Sequence, residues 1–366
     1  MLRICILGSD GIPGGVSNYL FNLINFTNSS SINYIIFGEN KKYFNNNIKS
    51  KFKFVNFKIN YNFFNLLLTM FDLKKKLIKN KIYIIHAHTQ RAAFLACLTK
   101  YIFSLNKLNI IYTPHGFRHS QLFFIKHYIH LSIEKFIHSK INHIILISKK
   151  ELNILKSMKS YKFKKNFIET SIPKIVYKKT ISLKKDLKIK KKSKIIIMCG
   201  SVQKIKQPNM FIDIAEKLIK IYPDVFFIWM GKKIDKTKKY NKSKIKFIGN
   251  IDDKLKYYSY MSCADVFLMT SKIETFPLSL LEAKKIGLKI VCNNFDGANN
   301  FIKNSDYQYL FKCNDVDSAV KILKKILYQR KSFRKNYLLD NNDSVIFFSK
   351  RHEKIYLSTV TKSFVY

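Results

Sequence analysis

Acidic residues are scarce in this chain. Only 23 Asp+Glu stand against 67 Lys+Arg in 366 residues, a formal net charge of +44. That balance favours anionic partners: phosphorylated substrates, an acidic membrane face or nucleic acid. The excess lysine, beside abundant Asn and Ile, also has a plainer origin in the codon usage of an AT-rich genome. Cysteine is sparse too. The six residues at 5, 97, 199, 263, 292 and 313 contain no C-x-x-C pair, and three lie in strand-like runs. This excludes a disulfide framework or zinc module and fits reduced, buried thiols of a cytosolic protein. No apolar run approaches the roughly 20 residues of a membrane-spanning helix. The run at Met1–Gly8 is too short for a signal peptide and leads straight into a glycine loop.

Against this scarcity, two carboxylates stand out. Glu274 and Glu282 frame the otherwise apolar stretch Glu274-Thr-Phe-Pro-Leu-Ser-Leu-Leu-Glu282, which follows the strand-like run Ala264–Met269. Pro277 suits the first turn of a helix, where its missing N–H costs nothing. Glu274 then lies in the loop ahead of the helix and Glu282 on its second turn. A helix N-terminus gathers phosphate through free N–H groups and its dipole. A carboxylate on either side can hold hydroxyls, the layout a nucleotide-sugar site requires.

The length and the 47% hydrophobic content suit two domains. Strand-like runs at Leu2–Leu7, Tyr34–Phe37, Lys53–Phe57, Ile82–His86, Asn109–Thr113 and His143–Ile147 alternate with helical periodicity. A lysine-rich segment containing Pro173 follows, and a second alternating series starts at Ile195. The expected division is an N-terminal, acceptor-side domain over 1–170, a basic linker over 171–194 and a C-terminal domain over 195–344. An isolated-looking helical tail over 345–366 could return to the first domain. Alternation of this kind predicts mainly parallel, doubly wound sheets with ligands at the carboxyl ends of the strands.

Three further segments carry chemistry. The loop Gly8-Ser-Asp-Gly-Ile-Pro-Gly14-Gly15-Val16 lets backbone approach a ligand and permits positive φ at Gly14 and Gly15. It is not G-x-G-x-x-G, and no acid lies about 20 residues on, so a nicotinamide or flavin site is disfavoured; a plain tight turn is the alternative. His86, His88 and His115 stand at strand ends, His115 on a turn between Pro114 and Gly116. A metal site from these three is disfavoured, because no carboxylate or cysteine is near in sequence to complete it. Cys199-Gly200-Ser-Val-Gln-Lys204-Ile-Lys206-Gln-Pro208 places a glycine turn and two lysines between a strand and a helix, where lysine can neutralise a diphosphate.

Together, the Gly-Gly loop, the Thr113-Pro-His115-Gly turn, Gly200-x6-Pro with its lysine, and Glu274-x7-Glu282 resemble a family 4 retaining glycosyltransferase. The closest flavour is the bacterial enzymes of capsule, exopolysaccharide and O-antigen synthesis. The resemblance spans roughly residues 2 to 302. It implies the GT-B fold, two Rossmann-like doubly wound domains facing across a cleft. It also implies a hexosyltransferase-like activity moving a sugar from a nucleotide-sugar donor to a saccharide or lipid-linked saccharide acceptor, with no metal or other cofactor. By the same resemblance His115 sits beside the transferred sugar, and Glu274 holds its hydroxyls. Gly14 and Gly15 meet the donor, the Gly200 turn with Lys206 meets the diphosphate, and the backbone of Pro277, Leu278 and Ser279 faces the phosphates. Glu282 holds the ribose and the turn at Ile251 the base.

Three positions depart from the family pattern. Ser201 replaces the usual arginine, with Lys204 as the nearest substitute though without the guanidinium fork. Pro277 replaces a frequent glycine, and Asp296-Gly297-Ala-Asn-Asn300 lacks the usual final acid. Two other readings therefore stay open: a GT-B partner protein of weak or lost activity, and a basic nucleic-acid-binding protein. The latter lacks any recognisable binding motif. Finally, Tyr61–Phe71 running into Lys74–Lys76, and the stretch Gln121–Lys140, read as basic amphipathic helices. Such helices suit an anionic membrane surface or, equally, packing on the N-terminal sheet.

Overall fold

The computed structural model describes residues 1–9, 14–27, 30–60, 62–117, 124–158, 163–233, 235–302, 308–327 and 343–360. The chain forms two compact units, Met1–Ser171 with Asn342–Tyr366, and Ile172–Asn341.

In the first unit the order is β1 Leu2–Leu7, α1 Gly15–Phe26, β2 Ile32–Gly38, α2 Lys41–Asn47, β3 Phe52–Asn56, α3 Phe63–Lys79 and β4 Ile84–His88. Then follow α4 Gln90–Ile102, β5 Asn109–Thr113, α5 Phe124–Lys140, β6 His143–Leu146, α6 Lys149–Ser157 and β7 Lys164–Phe167. The strands pair in parallel as β3-β2-β1-β4-β5-β6-β7. The central strands are buried along nearly their whole length, as a parallel sheet covered on both faces requires. Right-handed crossovers put the helices that run from β3 towards β7 on one face and those that run from β1 towards β3 on the other. Accordingly α4 packs between α3 and α5.

The second unit comprises α7 Leu183–Asp186, β8 Lys194–Cys199, α8 Pro208–Ile221, β9 Val225–Met230, β10 Ile245–Phe247 and α9 Lys254–Ser262. It continues with β11 Val266–Met269, α10 Leu278–Ile286, β12 Lys289–Asn293, β13 Gln308–Phe311 and α11 Val316–Leu327. Its sheet is also parallel, ordered β10-β9-β8-β11-β12-β13. Separate apolar clusters cover its two faces, one around Phe211 and Trp229 and the other around Phe267 and Leu280.

One region differs from the sequence reading, and the C-terminal tail returns to the first unit as that reading allowed. The lysine-rich stretch expected to link domains carries α7, and its apolar side chains Leu183 and Ile189 are buried in the second unit's core. Lys184 Nζ donates to the Lys191 and Ser193 carbonyls at 2.8 and 2.6 Å, closing the stretch on itself. The C-terminal helix α12, Asp343–Val360, belongs to the first unit and packs along α1. Its buried face is built from Phe348, His352 and Tyr356, spaced four apart, and not from aliphatic residues alone.

All six cysteines are free. Cys5, Cys97, Cys199 and Cys292 are buried, Cys263 is partly buried and Cys313 is exposed.

Candidate active site

In an open parallel sheet the ligand crevice lies beyond the carboxyl ends of the strands, where the strand order reverses. In the second unit that point falls between β8 and β11. The Gly200 turn leaves β8, and the loop carrying Glu274 leaves β11. Gly200 has φ 140, and a Cβ there would meet open space. The turn is fixed from behind: Trp229 Nε1 donates to the Gly200 carbonyl at 2.7 Å, and Gly200 N–H donates to Met230 O at 2.8 Å. Gly231 lies against this turn, and its N–H donates to Gly249 O at 2.7 Å. That bond places the 249–251 loop, with Ile251, beside the turn.

After Gly200 the chain makes one 3-10 turn, Lys204–Lys206. Thr270 Oγ1 donates to Lys206 O at 2.8 Å, and Lys272 N–H donates to Ile205 O at 2.9 Å. These bonds dock the turn on the loop leaving β11. The result is an ion pair, Lys206 Nζ to Glu274 Oε1 at 2.5 Å, with the carboxylate side chain only 9% exposed. Lys204 is exposed, and its backbone N–H donates to the Asp235 carboxylate at 2.6 Å.

Pro277 caps α10, and helix propagation begins at Leu278. Leu278 N–H donates to Phe276 O, and Leu280 N–H to Pro277 O. Among the described residues, the N–H groups of Thr275, Phe276 and Ser279 meet no protein acceptor. These amides are free donors at the N-terminal end of α10, where a helix can receive an anion. Glu282 follows on the second turn and is 5% exposed. Tyr257 and Tyr258 on α9 each donate a hydroxyl to one of its oxygens at 3.0 Å. Burial raises its carboxyl above the ordinary range, while the Lys254 charge and the two hydroxyls act against that rise. Tyr257 also meets the Cys199 thiol, beside Gly200. The second unit thus brings Gly200, Lys206, Glu274, the start of α10 and Glu282 into one neighbourhood.

In the first unit the order reverses between β1 and β4. Gly14 and Gly15 open α1 after β1. Neither uses left-handed backbone: Gly14 is extended at φ 170 and Gly15 is helical. The expectation of positive φ there is corrected, since Gly8, at φ 99, is the residue that takes it. Both Gly14 and Gly15 are exposed, and a Cβ on Gly15 would touch nothing. At Gly15, then, packing does not require glycine. Gly11 lies outside the described residues.

His88 ends β4, and His115 sits on the turn after β5 at φ 54. Glu151 on α6 holds that turn, accepting from Gly116 N–H at 2.6 Å and Ile147 N–H at 2.7 Å. Burial raises the Glu151 carboxyl to about 7, with these backbone donors pulling the other way. His115 Nε2 lies 3.0 Å from His88 Nδ1. The Tyr19 ring stands edge-on to His115, centroids 4.9 Å apart. Tyr19 hydroxyl meets His352 Nε2 at 2.5 Å, and His352 Nδ1 meets the Phe348 carbonyl at 2.8 Å. His86 is held between Tyr356 hydroxyl at 2.7 Å and Thr113 Oγ1 at 2.8 Å.

Burial keeps all four imidazoles neutral. It pushes His115 down to about 3 and His352 to about 4, and holds His86 and His88 well below the ordinary value. The tautomers follow. His352 must donate from Nδ1 to a carbonyl, so its Nε2 accepts from Tyr19. His88 Nε2 is buried without a partner. A buried orphan acceptor is better tolerated than an orphan N–H. This assigns the proton of His88 to Nδ1, donating to His115 Nε2, and leaves neutral His115 with an Nδ1–H donor. Among the described residues no group of three or more His, Cys, Asp or Glu is arranged to hold a metal ion.

The motifs in the sequence led to His115, Glu274, Glu282 and Lys206. They did not lead to Tyr19, Glu151, Tyr257, Tyr258 or His352.

Two doubly wound parallel sheets, each with its candidate residues at a reversal of strand order, define a GT-B glycosyltransferase architecture. A family model described as Glycosyltransferase Family 4 matches residues 13–165, and one described as Glycosyl transferases group 1 matches residues 179–354. The chain belongs to the family 4 glycosyltransferases of GT-B fold. It is 29% identical over 152 residues to the Escherichia coli UDP-Gal:alpha-D-GlcNAc-diphosphoundecaprenol alpha-1,3-galactosyltransferase, a match covering 39% of this chain and 38% of that protein. It is 28% identical over 236 residues to the E. coli O-antigen biosynthesis glycosyltransferase WclY, covering 61% and 64%. The match thus spans less than two thirds of either relative. Anabaena HepE, solved in complex with UDP and glucose, shares the fold with a TM-score of 0.77 at 15% identity, covering 98% of this chain and 100% of that one.

Proposed function

We propose that this chain is a retaining glycosyltransferase. It transfers a hexosyl group from a nucleotide sugar to a saccharide acceptor, lipid-linked, in the synthesis of a surface polysaccharide on the cytoplasmic side of the membrane. One observation carries the reading: a buried carboxylate, Glu282, held by two tyrosine hydroxyls, stands one and a half helical turns beyond an amide-rich helix start whose other flank is the Lys206–Glu274 pair. A carboxylate so fixed accepts from vicinal hydroxyls, the ribose in this reading. The α10 amides and Lys206 meet the charge that develops on the departing diphosphate. Glu274 takes donor-sugar hydroxyls, and the neutral His115 offers its Nδ1–H to a sugar oxygen. No metal or other cofactor enters this scheme. The polysaccharide assignment draws on the named activities of the two E. coli relatives.

The test is transfer from a donor of defined anomeric configuration to a diphosphate-lipid-linked saccharide, with the product read by NMR coupling constants. Retained configuration, lost in Glu274→Gln, is expected. Inverted configuration, or transfer indifferent to Glu274, contradicts the reading.

A further inference from the structure

The outer face of the α3–α4–α5 layer is unusually apolar. On α3, Met70, Leu73 and Leu77 pack inward against the sheet. The opposite stripe, Phe64, Leu68, Phe71 and Ile78, points out to solvent. On α5, Ile137 packs inward while Phe124, Ile125, Tyr128 and Ile129 point outward. Every one of these eight outward side chains is more than half exposed, from 53% at Ile129 to 87% at Phe124. A surface helix normally has one apolar stripe, facing the core. Both helices here have two. The structure thus answers the alternative that the stripes serve only to pack on the sheet: one stripe does, and the other does not.

The three helices lie side by side on one face of the sheet, so their outer stripes share a direction. The seams between them are aromatic and cationic. The Phe71 and Phe103 rings lie 4.8 Å apart, Lys74 Nζ sits 4.5 Å over Phe103, and Lys140 Nζ sits 4.5 Å over Tyr101. The charge of the layer is one-sided. α3 carries four lysines, α4 carries Arg91 and Lys100, and α5 carries three lysines, against Asp72 and Glu134 alone. Asp72 is neutralised by Lys76 at 2.5 Å, and Glu134 is buried. The face therefore offers no uncompensated negative charge. Apolar stripes bordered by cations match the two layers of an anionic bilayer surface, acyl chains beneath and phosphate headgroups above. No helix among the described residues is long and apolar enough to cross a membrane.

We infer that the α3–α5 face of the first unit docks on an anionic lipid bilayer, with the outward residues of both helices entering the headgroup–acyl boundary and the flanking lysines on the phosphates. The docking is independent of the transfer reaction.

The test is sedimentation of the full chain with phosphatidylcholine vesicles, with and without phosphatidylglycerol. Binding to the anionic vesicles is expected. Leu68→Ser with Ile78→Ser, or Tyr128→Ser with Ile129→Ser, should weaken it at least tenfold, with the melting temperature and nucleotide-sugar binding unchanged. Anionic binding that ignores these substitutions overturns the proposal, because it reduces the interaction to adsorption of a +44 chain. A dimer that the same substitutions dissociate while vesicle binding persists also overturns it, in favour of a second copy. Leu68→Trp gives a readout that does not depend on the serine variants folding. Trp229 is the one native tryptophan and is buried in the second unit. The added emission should be quenched by brominated acyl chains, and no quenching in the vesicle-bound state refutes insertion.

Discussion

Glu282 combines burial with a proposed ribose contact, and its variants separate the two. Alanine leaves the Tyr257 and Tyr258 hydroxyls without an acceptor, at about 1–3 kcal/mol for each buried orphan. Glutamine keeps an acceptor there. Glu282→Gln should therefore melt nearer to wild type than Glu282→Ala, while both lose at least tenfold in nucleotide-sugar affinity; calorimetric titration and thermal melts check the pair. The histidine assignment is testable in the same way. An asparagine amide can place N–H where His88 Nδ1–H stands. His88→Asn should retain more kcat than His88→Ala at similar KM, and equal activities would refute the assigned tautomer. The acidic residues and His115 were legible because the motifs that carry them are local. Tyr19 and His352 were not, since they meet across 333 positions and nothing near either one announces the other.

The buried imidazoles also set a pH dependence. His86, His88, His115 and His352 titrate below their ordinary 6.5 in the folded chain, so the unfolded chain binds more protons there. Their contribution is complete above pH 6.5 and lost as pH falls. Glu134 and Glu151, raised by burial to about 8 and about 7, act oppositely. Their contribution is complete below 4.5 and lost as pH rises through those values. Glu282, raised by burial as well, acts with those two; four imidazoles against three carboxyls still leave a net uptake of protons on unfolding between pH 6.5 and 4.5, each proton worth about 1.4 kcal/mol per pH unit. Stability should peak near pH 6.5 and fall on both sides, as denaturant titrations across pH 4.5–8 would show.

At the scale of elements, the glycines discriminate packing from ligand approach. A Cβ at Gly8 would lie 2.1 Å from His88 O, and one at Gly231 would lie 1.9 Å from Gly200 O, both at positive φ. Alanine at either should cost about 2–5 kcal/mol, strain and overpacking together. Gly15→Ala meets nothing and should leave stability within about 0.5 kcal/mol, so any loss of donor affinity in that variant reports the ligand directly. Melting curves of the three variants decide this. The long parallel strands were readable because strands buried on both faces are continuous apolar runs. β7 (Lys-Lys-Asn-Phe), β13 (Gln-Tyr-Leu-Phe) and α2 were missed, since short edge elements carry polar residues and no clear period. The supposed linker misled because its lysines outnumber Leu183 and Ile189, the residues that anchor it.

For the whole molecule, length and strand–helix alternation announced two units, and each sheet has the doubly wound order that follows from that pattern. The membership of α12 was harder to read. Its inward face is histidine and tyrosine, and their fit to the Tyr19 cluster becomes visible only once the first unit is folded. The central claim is that the second unit holds a nucleotide sugar between the Lys206–Glu274 pair and Glu282. Its most direct test is binding of UDP-, GDP-, ADP- and dTDP-linked sugars to wild type and Glu282→Ala. One base class should bind the wild type and weaken at least tenfold in the variant. Binding of none, or binding indifferent to Glu282, would contradict the account.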